Sequence, residues 1–195
     1  IKKYEKQSDN VKNNREFDAL NKEIFGQQKA KDVLSFAFYL HLLRNNKKDK
    51  DTPNILPKSN VMILGSTGSG KRLMINVFTK KYDIPSINVD SALFLTGQNF
   101  NEIIDAYLRF LIQQISIEKA QSAIIVFEDY DKVAMRQQGD NHMDLQDDFL
   151  TFIELENKLL QLEPDKPPVL FSIQNLMLVV NEFVLTMVSN AFTCM

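Results

Sequence analysis

The residues best suited to chemistry in this chain lie in one run, Gly65-Ser66-Thr67-Gly68-Ser69-Gly70-Lys71-Arg72. Glycines at 65, 68 and 70 permit torsions that turn successive backbone N–H groups into one concavity, the geometry that cradles a phosphate. A helix starting near Lys71 would add the positive end of its dipole, and the Lys71 ammonium can reach the outer phosphates as a point charge. The G-x-x-x-x-G-K spacing of a Walker A loop is complete, so Ser66, Thr67, Gly68, Ser69, Gly70, Lys71 and Arg72 are the candidate ligands of a phosphate-bearing cofactor. The last position departs from the pattern. A Ser or Thr hydroxyl there ligates Mg²⁺, whereas the Arg72 guanidinium has no lone pair to offer a cation. Phosphate binding is therefore expected to survive, and metal-assisted hydrolysis is not.

A second group of polar residues follows the apolar run Ala123–Phe127: Glu128, Asp129, Tyr130 and Asp131. Acids at the carboxyl end of a buried parallel strand sit where ligands bind in open α/β sheets, and beside a phosphate loop they would face the metal and the attacking water. The same acids could instead open the next helix, where carboxylates favour the N-terminal dipole. Gln174 and Asn175 follow another apolar run, Val169–Ile173, read as the fourth strand of the sheet. Asn175 there either contacts a γ-phosphate or lytic water, or caps the next helix. His41 falls on the polar side of the first helix and His142 in a polar loop without matching metal ligands, so both are expected to be structural.

The elements that must position these groups follow from periodicity. Ala30, Val33, Leu34, Ala37, Phe38, Leu40 and Leu42 recur at helical spacing, and Asn45–Lys58, with its charge run and Pro53 and Pro57, reads as a linker. Val61–Leu64 is a buried strand, Leu73–Lys81 a helix, and Ser86–Val89 a second strand, which together make a βαβ unit. A helix over Glu102–Ala120 leads to the Ala123–Phe127 strand, and another helix spans Leu145–Leu162. The expectation is an α/β domain over residues 16–195, with a central, mostly parallel sheet flanked by helices, after a polar arm at residues 1–15.

The bulk composition fits one soluble domain: 195 residues, 44% hydrophobic and 25% charged. A net charge of −2 supplies no field for nucleic acid, and the single cysteine, Cys194, rules out a disulfide within this sequence. The most apolar stretch, Val169–Met195, is too interrupted by polar residues to read as a membrane span. Ile1 opens no signal-like segment, so a leader removed ahead of this numbering is compatible with the sequence.

In order and in kind, these blocks resemble the AAA+ ATPases, and within them the large subdomain of the ClpX unfoldases. Glu23-Ile24-Phe25-Gly26-Gln27-Gln28-Lys29-Ala30-Lys31-Asp32-Val33-Leu34 is similar to the family's V-I-G-Q-x-x-A-K-K-V-L, Asn60–Lys71 to N-V-L-L-I-G-P-T-G-S-G-K, and Phe127–Val133 to I-D-E-I-D-K-I. The resemblance implies that the domain is a P-loop AAA+ large subdomain, that Ile24 and Phe25 pack on adenine, and that the cofactor is ATP or ADP. It further implies that Glu128 and Asp129 are a Walker B pair in reversed order, with Glu128 a weak candidate for Mg²⁺, and that Asn175 is a candidate first sensor. Whether Mg²⁺ accompanies the nucleotide is left open. The family's pore loop G-Y-V-G would fall at Gly97-Gln98-Asn99-Phe100, without its aromatic, and its arginine finger and small subdomain would lie past Met195. With these departures the resemblance implies a pseudo-ATPase acting as a structural or accessory subunit among other protein subunits, rather than a homohexamer. The alternatives are a working ATP-dependent unfoldase of a Clp-type protease and a regulator of a true ClpX ring. By family, the compartment implied is the mitochondrion, with the plastid as alternative.

Overall fold

The computed structural model describes residues 22–45, 58–134, 143–173, 176–180 and 193–194. Helix α1 (Gln28–Asn45) precedes strand β1 (Val61–Leu64), helix α2 (Lys71–Lys81) and strand β2 (Ser86–Asp90). A 3₁₀ helix over Ser91–Thr96 leads into α3 (Phe100–Gln114) and the short α4 (Ile117–Ala120), followed by β3 (Ile124–Glu128), α5 (Asp131–Ala134) and α6 (Met143–Glu154). The hairpin strands β4 (Asn157–Leu160) and β5 (Val169–Ser172) come next, then β6 (Leu176–Val180) and the two-residue β7 (Thr193–Cys194). The main sheet has the order β2-β3-β6-β1-β7, with every pair parallel.

Parallel strands buried on both faces should be near-continuous apolar runs. Ile124–Phe127 and Leu176–Val180 are such runs, and every residue of β6 is buried. One layer of the core packs α1 and α2 onto the sheet through Leu34, Phe38, Met74 and Phe78, with Phe38 and Phe78 stacked at 4.4 Å between ring centroids. The opposite layer is an aromatic cluster in which Phe94, Phe100, Phe127, Phe149 and Phe152 pack between α3, α6 and β3.

Four expectations are corrected. The fourth strand of the sheet is Leu176–Val180, not Val169–Ile173. The latter run pairs antiparallel with β4 in a separate two-stranded sheet, register Leu159↔Leu170. A short, mostly apolar run looks alike in both settings, and only its partners distinguish them. The helix expected over Leu145–Leu162 ends at Glu154, where Lys58 Nζ donates to the carbonyls of Ile153 and Leu155 at 3.0 and 2.9 Å and the chain turns into β4. The helix expected over Glu102–Ala120 breaks at Ile115, and Ser116 caps a new short helix by accepting from Lys119 N. His41 is not on a polar face. It is 1% exposed, with Nε2 2.9 Å from the Ser122 carbonyl.

By sequence, the apolar segment Leu176–Met195 reads as a surface buried against another subunit; the position of β6 corrects this for Leu178, Val179 and Val180, which fill this chain's own core. Asn175, Gln174, His142 and residues 181–192 lie outside the described residues, as do residues 1–21. Leu176, the residue after Asn175, begins β6 at the sheet end opposite the phosphate loop, because β6 runs parallel to β1 with Leu64 opposite Val180.

Candidate functional site

The loop between β1 and α2 lies at the carboxyl edge of the sheet, where the ends of β1, β6 and β3 converge. Gly65 N donates to Val180 O at 3.3 Å, and Tyr130 N to Val179 O at 3.1 Å. Glu128 ends β3 on the far side of β6 from the loop. Gly68 and Gly70 have φ of 80° and 88°, the left-handed region, and Gly70 is the N-cap of α2. A side chain at either position would be strained, which is the physical reason for the glycine spacing.

Lys71 is 6% exposed, and its ammonium is held inside the loop, 2.7 Å from Gly65 O and 2.8 Å from Ser66 O, with Ser69 Oγ at 3.4 Å. Burial pulls its pKa below the ordinary lysine value, and the negative charges of Asp131 and Asp129 oppose that pull. Those acids therefore face the loop electrostatically. Asp131 is 7% exposed at the start of α5.

A cleft of about 580 Å³ opens beside the loop. Such a volume is in the roughly 300–1,000 Å³ range of small-molecule sites. Gln27 to Ala30 form one wall, and Ile63, Leu64, Ser66, Ser69, Lys71 and Met74 form the floor and the other. Gln27, which the sequence reading did not single out, ties the two walls together by donating Nε2 to Ser69 O at 2.7 Å. Lys31, also missed, is 3% exposed and donates Nζ to Ile24 O at 3.0 Å, fixing the turn that precedes α1. Ile24 is buried, whereas Phe25 is 90% exposed; the described cleft is walled by the residues that follow them. The signal for Gln27 was present in the sequence, since it sits in the same Ile24–Leu34 block, but nothing local shows which side chain of that block reaches the loop.

The acids at the end of β3 are brought to the site but are already engaged. Arg72 NH2 forms an ion pair with Glu128 Oε2. Glu128 Oε1 is buried and has no hydrogen-bond partner among the described residues. Asp129 adopts φ 52°, a left-handed conformation uncommon for a residue with a side chain, and its Oδ2 binds Lys132 Nζ at 2.7 Å. That bond holds the Lys132 ammonium above its ordinary pKa.

Mg²⁺ asks for a near-octahedral set of oxygens and is usually held by one or two carboxylates, a hydroxyl and phosphates. The residues here do not fit that demand. The hydroxyl is replaced by Arg72, and Glu128 carries a guanidinium on one oxygen. A dication about 4 Å from that guanidinium would be repelled by roughly 2 kcal/mol in a water-like dielectric and roughly 8 kcal/mol at an effective dielectric near 20. Among the described residues, no group of three or more His, Cys, Asp or Glu could hold a metal.

The turn expected to correspond to a pore loop is structural on one side. Asn99 caps α3 by accepting from Asn101 N and Glu102 N, and Phe100 is 3% exposed, stacked on Phe94 at 4.8 Å. Its ring belongs to the core, so the exposed part of the turn is Thr96, Gly97, Gln98 and Asn99. Among the described residues, no helix is long and apolar enough to cross a membrane.

Comparison with known proteins places this geometry. The chain is 31% identical over 122 residues to the ATP-dependent Clp protease ATP-binding subunit ClpX of Treponema denticola, a match covering 62% of this chain and 29% of the relative. The protein of the same name from Bacteroides thetaiotaomicron is 32% identical over 124 residues, 63% of this chain and 30% of the relative. That of Bacteroides fragilis is 31% identical over the same length. The chain thus spans about 30% of the length of the curated relatives it matches. No protein-family model matches it. The matched region is a ClpX-like AAA+ region, with the α/β architecture of a P-loop large subdomain.

Proposed function

We propose that this ClpX-like region holds ATP or ADP as a lasting ligand, does not turn it over, and serves as an architectural or accessory subunit within a larger protein assembly. The observation that carries the reading is the Arg72–Glu128 ion pair beside an otherwise complete phosphate loop. Binding needs the concavity of Gly65–Gly70 and the Lys71 charge, both in place. Turnover needs a free metal-side carboxylate and a base aimed at water. Here Glu128 is paired with Arg72 and Asp129 with Lys132. A misplacement of about 1 Å at such a base can cost on the order of 100-fold in rate. The relatives' names call them ATP-binding subunits, which favours a nucleotide over other phosphate compounds as the ligand.

Nucleotide-dependent thermal stabilisation and steady-state phosphate release test the two halves of the reading. The expected outcome is stabilisation by ATP or ADP that disappears in Lys71→Ala, with negligible phosphate release from wild type. Turnover near about 1 s⁻¹ would favour a working unfoldase instead. The same reading expects association with other proteins and no homohexamer of this chain, which native mass measurement decides. Mitochondrial residence, or plastid residence as the alternative, rests on the resemblance alone, and imaging of the tagged chain tests it.

A further inference from the structure

Two observations at the carboxyl edge of the sheet belong together. The position that should supply a metal-ligating hydroxyl supplies a guanidinium, and that guanidinium reaches across 56 residues of sequence to the carboxylate that should face the metal. We propose that the Arg72 side chain stands in for the metal ion, so that the Gly65–Lys71 loop takes a nucleoside di- or triphosphate free of Mg²⁺.

This rests on the nucleotide-binding reading and adds to it the form of the ligand. Arg72 is the second residue of the loop-to-helix junction, directly after Lys71, and its side chain is 60% exposed, while that of Glu128 is 15% exposed. The guanidinium is therefore anchored at one end of its reach and open to solvent on the side away from Glu128. A planar guanidinium presents five donors, more than one carboxylate oxygen occupies, and it matches phosphate oxygens bidentately. Lys71 alone leaves a polyphosphate undercompensated. Arg72 adds a second, permanent cation at the same helix N-terminus, where backbone N–H groups already favour negative charge. Both oxygens of Glu128 belong to one carboxylate, so a dication seeking the unpartnered Oε1 would stand against the guanidinium on Oε2. A carboxylate also repels phosphate, and its neutralisation by Arg72 removes that repulsion without a metal.

Isothermal titration calorimetry with ADP and with ATP, each in EDTA and in millimolar Mg²⁺, tests the proposal on the wild-type chain and on Arg72→Thr. Wild type should bind with equal or higher affinity in EDTA. Arg72→Thr should bind at least tenfold more weakly in EDTA and recover on adding Mg²⁺. Because the Arg72 side chain is largely exposed, the substitution should leave the fold intact, and a circular dichroism melt of the variant checks this. Titration of the nucleotide-free chains with Mn²⁺, read by its paramagnetic resonance, gives a second measure, with wild type leaving the ion free. Wild-type affinity that rises tenfold or more with Mg²⁺, Mn²⁺ bound by wild type, or an Arg72→Thr chain that binds in EDTA as tightly as wild type would each overturn the proposal. Absence of binding by wild type in both EDTA and Mg²⁺ would instead overturn the nucleotide reading itself, and the proposal with it.

Discussion

Acid should weaken this fold through one side chain, His41. Its imidazole is buried between α1 and the turn before β3, and Nε2 lies 2.9 Å from Ser122 O. A carbonyl can only accept, so Nε2 carries the proton, and Asn45 Nδ2, which is 3.1 Å away, must donate to the His41 carbonyl at 3.0 Å instead. Nδ1 is buried without a partner among the described residues, so a second proton there would create an unsolvated charge. Burial accordingly lowers the pKa from 6.5 to about 4; the bond to Ser122 opposes this and the nearby Arg44 charge adds to it. The folded pKa is below the unfolded one, so the unfolded chain takes up a proton that the folded chain refuses. Stability is then fully present above about pH 6.5 and is lost as pH falls toward 4. The gap is worth on the order of 3 kcal/mol once both states have titrated, and about 2 kcal/mol at pH 5. Urea unfolding at about pH 7.5 and about pH 5, in wild type and in His41→Gln, isolates the effect. The variant keeps a donor for Ser122 and removes the titration, so its loss of stability between the two pH values should be smaller by about 2 kcal/mol. Equal losses in the two proteins would refute the argument.

Three further outcomes follow from the packing and the site. Phe100→Ala should cost about 3–5 kcal/mol in chemical denaturation, the usual range for a fully packed aromatic, because its ring lies among Phe94, Phe149 and Phe152. A loss under about 1 kcal/mol would return Phe100 to the surface. Asn60→Ala should destabilise by about 2 kcal/mol or more, since Asn60 Oδ1 accepts from Leu176 N at 3.0 Å and Nδ2 donates to Ile153 O at 3.3 Å, both in the buried interior. Thermal melting of that variant checks it. Arg72→Thr alone should not create phosphate release, because Asp129 remains tied to Lys132 and short of the reach of a glutamate; turnover in that variant would show that Arg72 is the sole block.

The strand–loop–helix run from Val61 to Lys81 and the strand ending in Glu128 were legible because their signals are local: a continuous apolar run, glycines at fixed spacing, and acids at a strand end. The outcomes that were not legible depend on partners far along the chain. Val169–Ile173 and Leu176–Val180 are both short and apolar, and only pairing with β1 and β3 makes the second a core strand. His41 looks polar by type and is buried because Ser122, 81 residues away, supplies an acceptor. That Arg72 breaks the Walker pattern was visible in the sequence; that it does so by occupying Glu128 required the sheet to bring positions 72 and 128 together.

The place of β6 has a consequence for the order in which the protein can be made. Asn60, at the start of β1, meets Leu176, its buried partner at the start of β6, only across 116 residues. At a synthesis rate of roughly 5–20 residues per second, about 6 to 23 seconds separate their appearance. For the last 48 residues of that interval, from the end of β3 at Glu128 to Leu176, β1 and β3 both exist without the strand that lies between them, each with an open edge and an apolar face. Contacts so distant in sequence are slow to form and leave such edges free to pair with other chains. Production of this domain should therefore depend more on chaperone supply during synthesis than on the stability of the finished fold.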